Sequence, residues 1–100
     1  MRIEGDRDAT GHLFVLVDGQ ALSPKRSQRV WNHSPDGFEC GYGGSGPAQL
    51  ALAILIEAGL SNERACHLHQ AFKWEFIATH QAPFDFEVDV LAWSNTKGFF

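Results

Sequence analysis

Gly41-Tyr42-Gly43-Gly44-Ser45-Gly46-Pro47-Ala48-Gln49-Leu50-Ala51-Leu52-Ala53-Ile54-Leu55-Ile56-Glu57-Ala58-Gly59-Leu60 is the stretch on which the fold turns. Four of its first six residues are glycine, which admits backbone angles and close approaches that bulkier residues resist. From Pro47 to Leu60 the only polar side chains are Gln49 and Glu57, eight apart on one helical stripe, and every other face is apolar. Such a helix must be buried around most of its girth, with Ala51, Ala53 and Ala58 letting neighbours approach closely. Pro47 suits the first helical position, with Gly46 or Ser45 as cap, and Gly59 suits the stop.

Working outward towards the N-terminus, Leu13-Phe14-Val15-Leu16-Val17 is β-branched and aromatic and runs into Asp18-Gly19, a pair suited to a type I′ turn. A hairpin returning through Gln20-Ala21-Leu22 is expected, with Met1 to Gly5 pairing alongside and a further turn at Thr10-Gly11. Ser34-Pro35-Asp36-Gly37 carries the residues of a type I turn, so Val30-Trp31 and Phe38-Glu39-Cys40 read as short flanking strands.

Towards the C-terminus, Ser61 is a competent N-cap for a second helix reaching towards Thr79. Ala65, Leu68, Phe72, Phe76 and Thr79 form its core stripe, and His69 falls on it as well. A very short connection between the two helices implies an antiparallel helical hairpin. Phe84, Phe86, Val88 and Val90 then alternate with Asp85, Glu87 and Asp89, which reads as a half-buried edge strand. A final helix from about Glu87 to Trp93 is the alternative. The expected architecture is a single α+β domain over residues 1–100, a small antiparallel sheet packed on a two-helix hairpin.

Composition narrows the function classes. A length of 100 residues fits one core, and 44% hydrophobic residues with three Trp and eight Phe indicate a fixed fold. No apolar run is long enough to span a bilayer, and acids stand where a signal peptide needs an apolar core, so a cytoplasmic location is expected. Cys40 and Cys66 make no disulfide framework and read as buried thiols. A net charge of -4 argues against nucleic-acid binding by counterion release, and the cluster Lys25-Arg26-Ser27-Gln28-Arg29 is too small a phosphate footprint to reverse that.

Candidate chemistry centres on the glycine turn. Amides near Gly46, Ala48 and Gln49 at a helix start could hold a phosphate or nucleotide, with Gly43, Gly44 and Ser45 forming the rest of the cradle. The run lacks the Lys-Ser/Thr of a P-loop and misses a nucleophile elbow because Pro47 stands where the last glycine belongs, so Ser45 makes a poor nucleophile. A tight connection that packs closely is the plainer reading. Cys40, Cys66, His67 and His69 are ligand types without CxxC or HxxxH pairing, so no metal and no cofactor is expected. No catalytic set assembles around either cysteine, and His33 is expected to hydrogen-bond the glycine turn. Trp74 lies opposite the core stripe of its helix and either packs beneath the C-terminal segment, the plainer reading, or stays exposed beside Ile77 as a candidate partner anchor, a role Tyr42 could share. The row Asp85, Glu87, Asp89 could meet a basic partner surface.

His33 to Leu55, with Gln70-Ala71-Phe72-Lys73-Trp74-Glu75-Phe76-Ile77-Ala78 as a second block, resembles a family of small bacterial, plasmid and phage proteins of unknown function. That family usually has a tryptophan where Cys40 stands here. The resemblance implies a mobile-element setting and supplies no reaction, cofactor or catalytic residue. The expectation is a non-enzymatic module binding a host or mobile-element protein, an accessory or counter-defence factor; the alternative is a small ligand-binding domain holding a phosphate or nucleotide at the glycine turn.

Overall fold

The computed structural model describes residues 1–98. The chain is α+β: strands β1 (Arg2–Arg7), β2 (Leu13–Val17) and β3 (Gln20–Ala21) precede helices α1 (Lys25–Val30), α2 (Ser45–Glu57) and α3 (Asn62–Phe72), and β4 (Phe84–Glu87) and α4 (Val90–Asn95) follow. The sheet order is β3-β2-β1-β4, all antiparallel. Asp18 at φ 49° and Gly19 at φ 81° make the left-handed pair that the β2–β3 hairpin needs.

Register sorts the sheet into two faces. Ile3 pairs with Val17 and Phe86, and Gly5 with Val15 and Phe84. These point towards the helices, and Ile3, Val15, Val17 and Phe84 join the core. The opposite face carries Glu4, Asp6, Phe14, Leu16 and Asp85, with Phe14 exposed. There a bidentate pair from Arg2 Nε (3.0 Å) and Nη2 (2.7 Å) to Asp85 bridges β1 and β4.

Helix α2 is the centre of the molecule. Every residue from Gly46 to Ile56 is buried, so the helix has no solvent face at all along that length. This is what a helix apolar on nearly every face demands, because an exposed apolar flank forfeits roughly 25 cal/mol for each Å² left in water. The helix ends at Glu57, with Ala58 as C-cap and Gly59 at φ 101°, and Ser61 caps α3 by accepting from the Arg64 amide at 3.1 Å. The antiparallel α2–α3 hairpin is therefore built as its sequence implies.

Four expectations need correction. Lys25–Val30 is a short helix and Phe38-Glu39-Cys40 joins no ladder, so neither flank of the Ser34–Gly37 turn is a strand. Ser27, inside α1, is buried and receives the Gln49 amide at 2.9 Å, a tertiary anchor that outweighs the β preference of Val30 and Trp31. Pro47 is the third helical residue, because the helix begins at Ser45 with Gly44 as cap. The second helix changes pitch at Lys73–Ile77 into a π turn, where the Ala78 amide reaches the Lys73 carbonyl at 2.8 Å. Finally, the alternation after Pro83 is a strand only to Glu87. Asp89 then caps α4, its carboxylate accepting from the Ala92 amide at 3.0 Å.

Candidate functional site: an aromatic surface around the glycine turn

The glycine turn is held from both sides. Its first amide, Gly41 N–H, donates to the Ile77 carbonyl at 3.1 Å, tying it to the π turn. Arg7 of β1 grips Glu39 through two bonds of 3.0 and 2.8 Å, tying the approach to the sheet. That guanidinium holds the Glu39 carboxyl below its usual range, against the opposing cost of burial.

The missing side chains of the turn are replaced by rings. A Cβ on Gly43 would collide with the Trp74 ring, and one on Gly44 with the Tyr42 ring. Both rings therefore lie directly on bare backbone, yet they remain 59% and 53% exposed. Adjacent helical positions diverge in direction, and here Lys73 turns inside while its neighbour Trp74 turns outside. Lys73 is only 6% exposed; its ammonium donates to the Gly43 carbonyl at 2.9 Å and sits 4.6 Å from the Trp74 ring centre. Among the described residues no carboxylate stands within ion-pair distance of it.

One helical turn before Lys73, His69 is buried and its Nε2 lies 2.9 Å from Nε2 of His33. Trp31 stacks on His33 with centroids 4.3 Å apart and meets the His69 ring edge-on at 5.3 Å, while staying 49% exposed. Burial first, then the charge of Lys73, pushes the His33 imidazole below its ordinary value. Burial also dominates the downward shift at His69. Beneath them the fully buried Gln49 accepts from the His33 and Ser34 amides at 2.8 and 3.0 Å. Trp31, His33, His69, Lys73, Trp74, Gly43 and Tyr42 thus form one strip linked through these contacts, with an exposed ring at each end.

The sequence candidates fare unequally. Tyr42 and Trp74 are exposed and adjacent to the turn, as an anchor pair requires. Ile77 is 1% exposed and belongs to the core, so it cannot serve as an exposed contact. All three residues of the acidic row are exposed and each has a partner within the fold: Asp85 is paired with Arg2, Glu87 faces the N-terminal amine at 3.6 Å, and Asp89 is a helix cap. His33 bonds His69 and the Gln49 side chain, and makes no hydrogen bond to the glycine turn among the described residues.

The phosphate cradle also loses its parts. Gly46, Ala48 and Gln49 are buried, the Ala48 amide donates to the Gly44 carbonyl at 3.1 Å, and the Gln49 side chain is committed to the His33–Ser34 backbone and Ser27. The Cβ and Cγ of Glu39 pack over Gly46, while its carboxylate is held by Arg7. Only Gly43, Gly44 and Ser45 keep some exposure, and the first two are floored under rings. Cys40 and Cys66 are free thiols, both shifted upward by burial. Among the described residues no three His, Cys, Asp or Glu side chains converge as a metal site. No helix there is long and apolar enough to cross a membrane.

Sequence reasoning missed Trp31, the His33–His69 pair and Lys73. The spacing His69 to Lys73 places both on one helical face, and a lysine following a core-stripe histidine by one turn was the available sign.

A profile of a family of unknown function, DUF6166, matches residues 3–96, which spans every element from β1 to α4. The chain belongs to this family. No curated protein and no solved structure matches it. Because the DUF6166 match extends across the glycine turn and both flanking histidines, the aromatic strip lies wholly within the family's domain.

Proposed function

We propose that this chain is a non-enzymatic protein-binding module whose partner surface is the aromatic strip around the glycine turn, anchored by Tyr42, Trp74 and Trp31. One observation carries the reading: two large rings are seated on glycine backbone and still leave more than half their area in water. Aromatic side chains are enriched at interface hot spots, where rigid rings contribute area at small entropic cost. Three side chains that sequence reading singled out have structural partners: Gln49 is buried and holds the His33 and Ser34 amides, Asp85 pairs with Arg2 at the surface, and Asp89 caps α4. Within this reading, an accessory or counter-defence factor of a mobile element that engages a host protein remains our proposal for the biological role.

A tagged chain incubated with host lysate, alongside the doubly substituted Trp74→Ala, Tyr42→Ala chain, tests this. A stoichiometric protein recovered by the native chain and lost by the variant is the expected result. Equal recovery by both, or recovery of no stoichiometric protein, would refute the assignment. Calorimetry against phosphate and a nucleotide panel at millimolar concentration should show no heat, and saturable binding there would instead support a ligand domain.

A further inference from the structure

The strip contains a device that its role as a surface does not require. His33 and His69 share the short Nε2–Nε2 contact of 2.9 Å, which needs one hydrogen between two nitrogens. Nδ1 of His69 faces the Cys66 carbonyl at 2.7 Å and must carry a proton, so Nε2 of His69 is the acceptor and His33 Nε2–H is the donor. A first added proton goes to Nδ1 of His33 and leaves the shared bond in place. A second would put N–H against N–H at a separation that only a hydrogen bond permits, and the pair must part.

The ring that gives way is identifiable. His69 is 1% exposed and fixed by its carbonyl bond, whereas His33 is partly exposed and Trp31 lies stacked upon it. The backbone at His33 and Ser34 stays pinned by Gln49, so the movement is confined to side chains. We propose that the His33–His69 pair is a proton-responsive latch that holds Trp31 on the binding surface when it shares one hydrogen and releases it when both imidazoles are charged. The latch regulates the surface assigned above and so rests on that reading for its biological purpose.

The surroundings favour opening at moderately low pH. From α3 and its π turn come Lys73, whose charge acts on both rings, and the neutral Gln70, whose amide approaches His69 Nε2 at 3.4 Å. Trp31 stacks on the His33 ring, Gln49 of α2 holds the backbone amides of His33 and Ser34, and Gln28 and Ser27 of α1 bond the Ser34 carbonyl and Gln49; all are uncharged. Among the described residues no carboxylate hydrogen-bonds or ion-pairs with either imidazole to steady a second positive charge.

The test uses the isolated full chain, so its outcome is independent of whether any partner is found. Ring nitrogen shifts of both histidines and the Trp31 indole resonance are followed by NMR from pH 8 to 4.5. The latch predicts two macroscopic steps separated by more than about one pH unit, as coupled sites show, with the Trp31 resonance moving at the lower step. His69→Gln keeps a hydrogen-bonding group but cannot charge, so the lower step and the Trp31 shift should vanish. His33→Gln, as a second variant, should leave one His69 titration and a pH-independent Trp31. A single common midpoint with an unmoved Trp31, or a Trp31 shift that persists in both variants, would overturn the proposal.

Discussion

Gln49 shows how much one buried amide can organise. Its oxygen receives two backbone amides and its nitrogen serves Ser27, so the side chain fastens α1 and the Trp31–Ser34 segment to α2. Gln49→Leu strands those amides away from water, at about 1–3 kcal/mol for each unsatisfied group. Urea unfolding should therefore show a loss of about 3 kcal/mol, and a loss below about 0.5 kcal/mol, typical of surface changes, would mean the amide network contributes little. The histidines give a second expectation. Both fold with imidazole values lowered, so the unfolded chain takes up protons first as pH falls through about 6.5. Their stabilising contribution is complete above that pH and declines as pH drops below it, levelling once the folded values are passed. The urea midpoint at pH 5.5 should lie below that at pH 7.5, and the difference should shrink in His69→Gln. The sequence displayed Gln49 as the lone polar residue near the start of a greasy run, but not its purpose. Its partners lie 15, 16 and 22 residues away, beyond any local pattern.

Among the elements, α2 was legible and α1 was not, for opposite physical reasons. A segment with almost no polar side chain has a single destination, so burial of α2 followed directly from Pro47 to Ile56. Lys25–Val30 is too short for its own helical preference to decide, since helices of a single turn or two are held by tertiary contacts. Val30 and Trp31 drew the reading towards a strand, while the deciding bond comes from Gln49. The π turn left no residue signature at all, because widening a helix by one residue changes spacing without changing composition. The helical wheel turned Trp74 away from the core stripe without showing whether the C-terminal segment would cover it, so its exposure was visible only as one of two outcomes. Alanine substitution tests the difference between the helices. Leu50, Leu55 and Ile56 fall on different faces of α2 at 3.6 residues per turn, and each should cost about 2–5 kcal/mol when truncated. Exposed Glu63 and Gln70 of α3 should cost less than about 0.5 kcal/mol each. A face of α2 that tolerates truncation would show that the helix is only half buried.

At the scale of the whole molecule the two sides of the fold differ in kind. The outer face of the sheet mixes acids with Arg2 and the exposed Phe14, whereas the helical side presents rings beside a buried lysine and two histidines. The partner surface proposed above lies on the helical side, and Phe14 offers an internal control of similar exposure on the other. The most direct measurement leaves every aromatic residue in place. Gly43→Ala puts a methyl group where the Trp74 ring rests, so the ring must lift while the core beneath is untouched. Calorimetric titration of the recovered partner against the native chain, Gly43→Ala and Phe14→Ala decides the matter. The account predicts at least about a tenfold loss of affinity, or about 1.4 kcal/mol, for Gly43→Ala, with little change for Phe14→Ala and cooperative unfolding kept in both. Native affinity in Gly43→Ala, or an equal loss in Phe14→Ala, would contradict it.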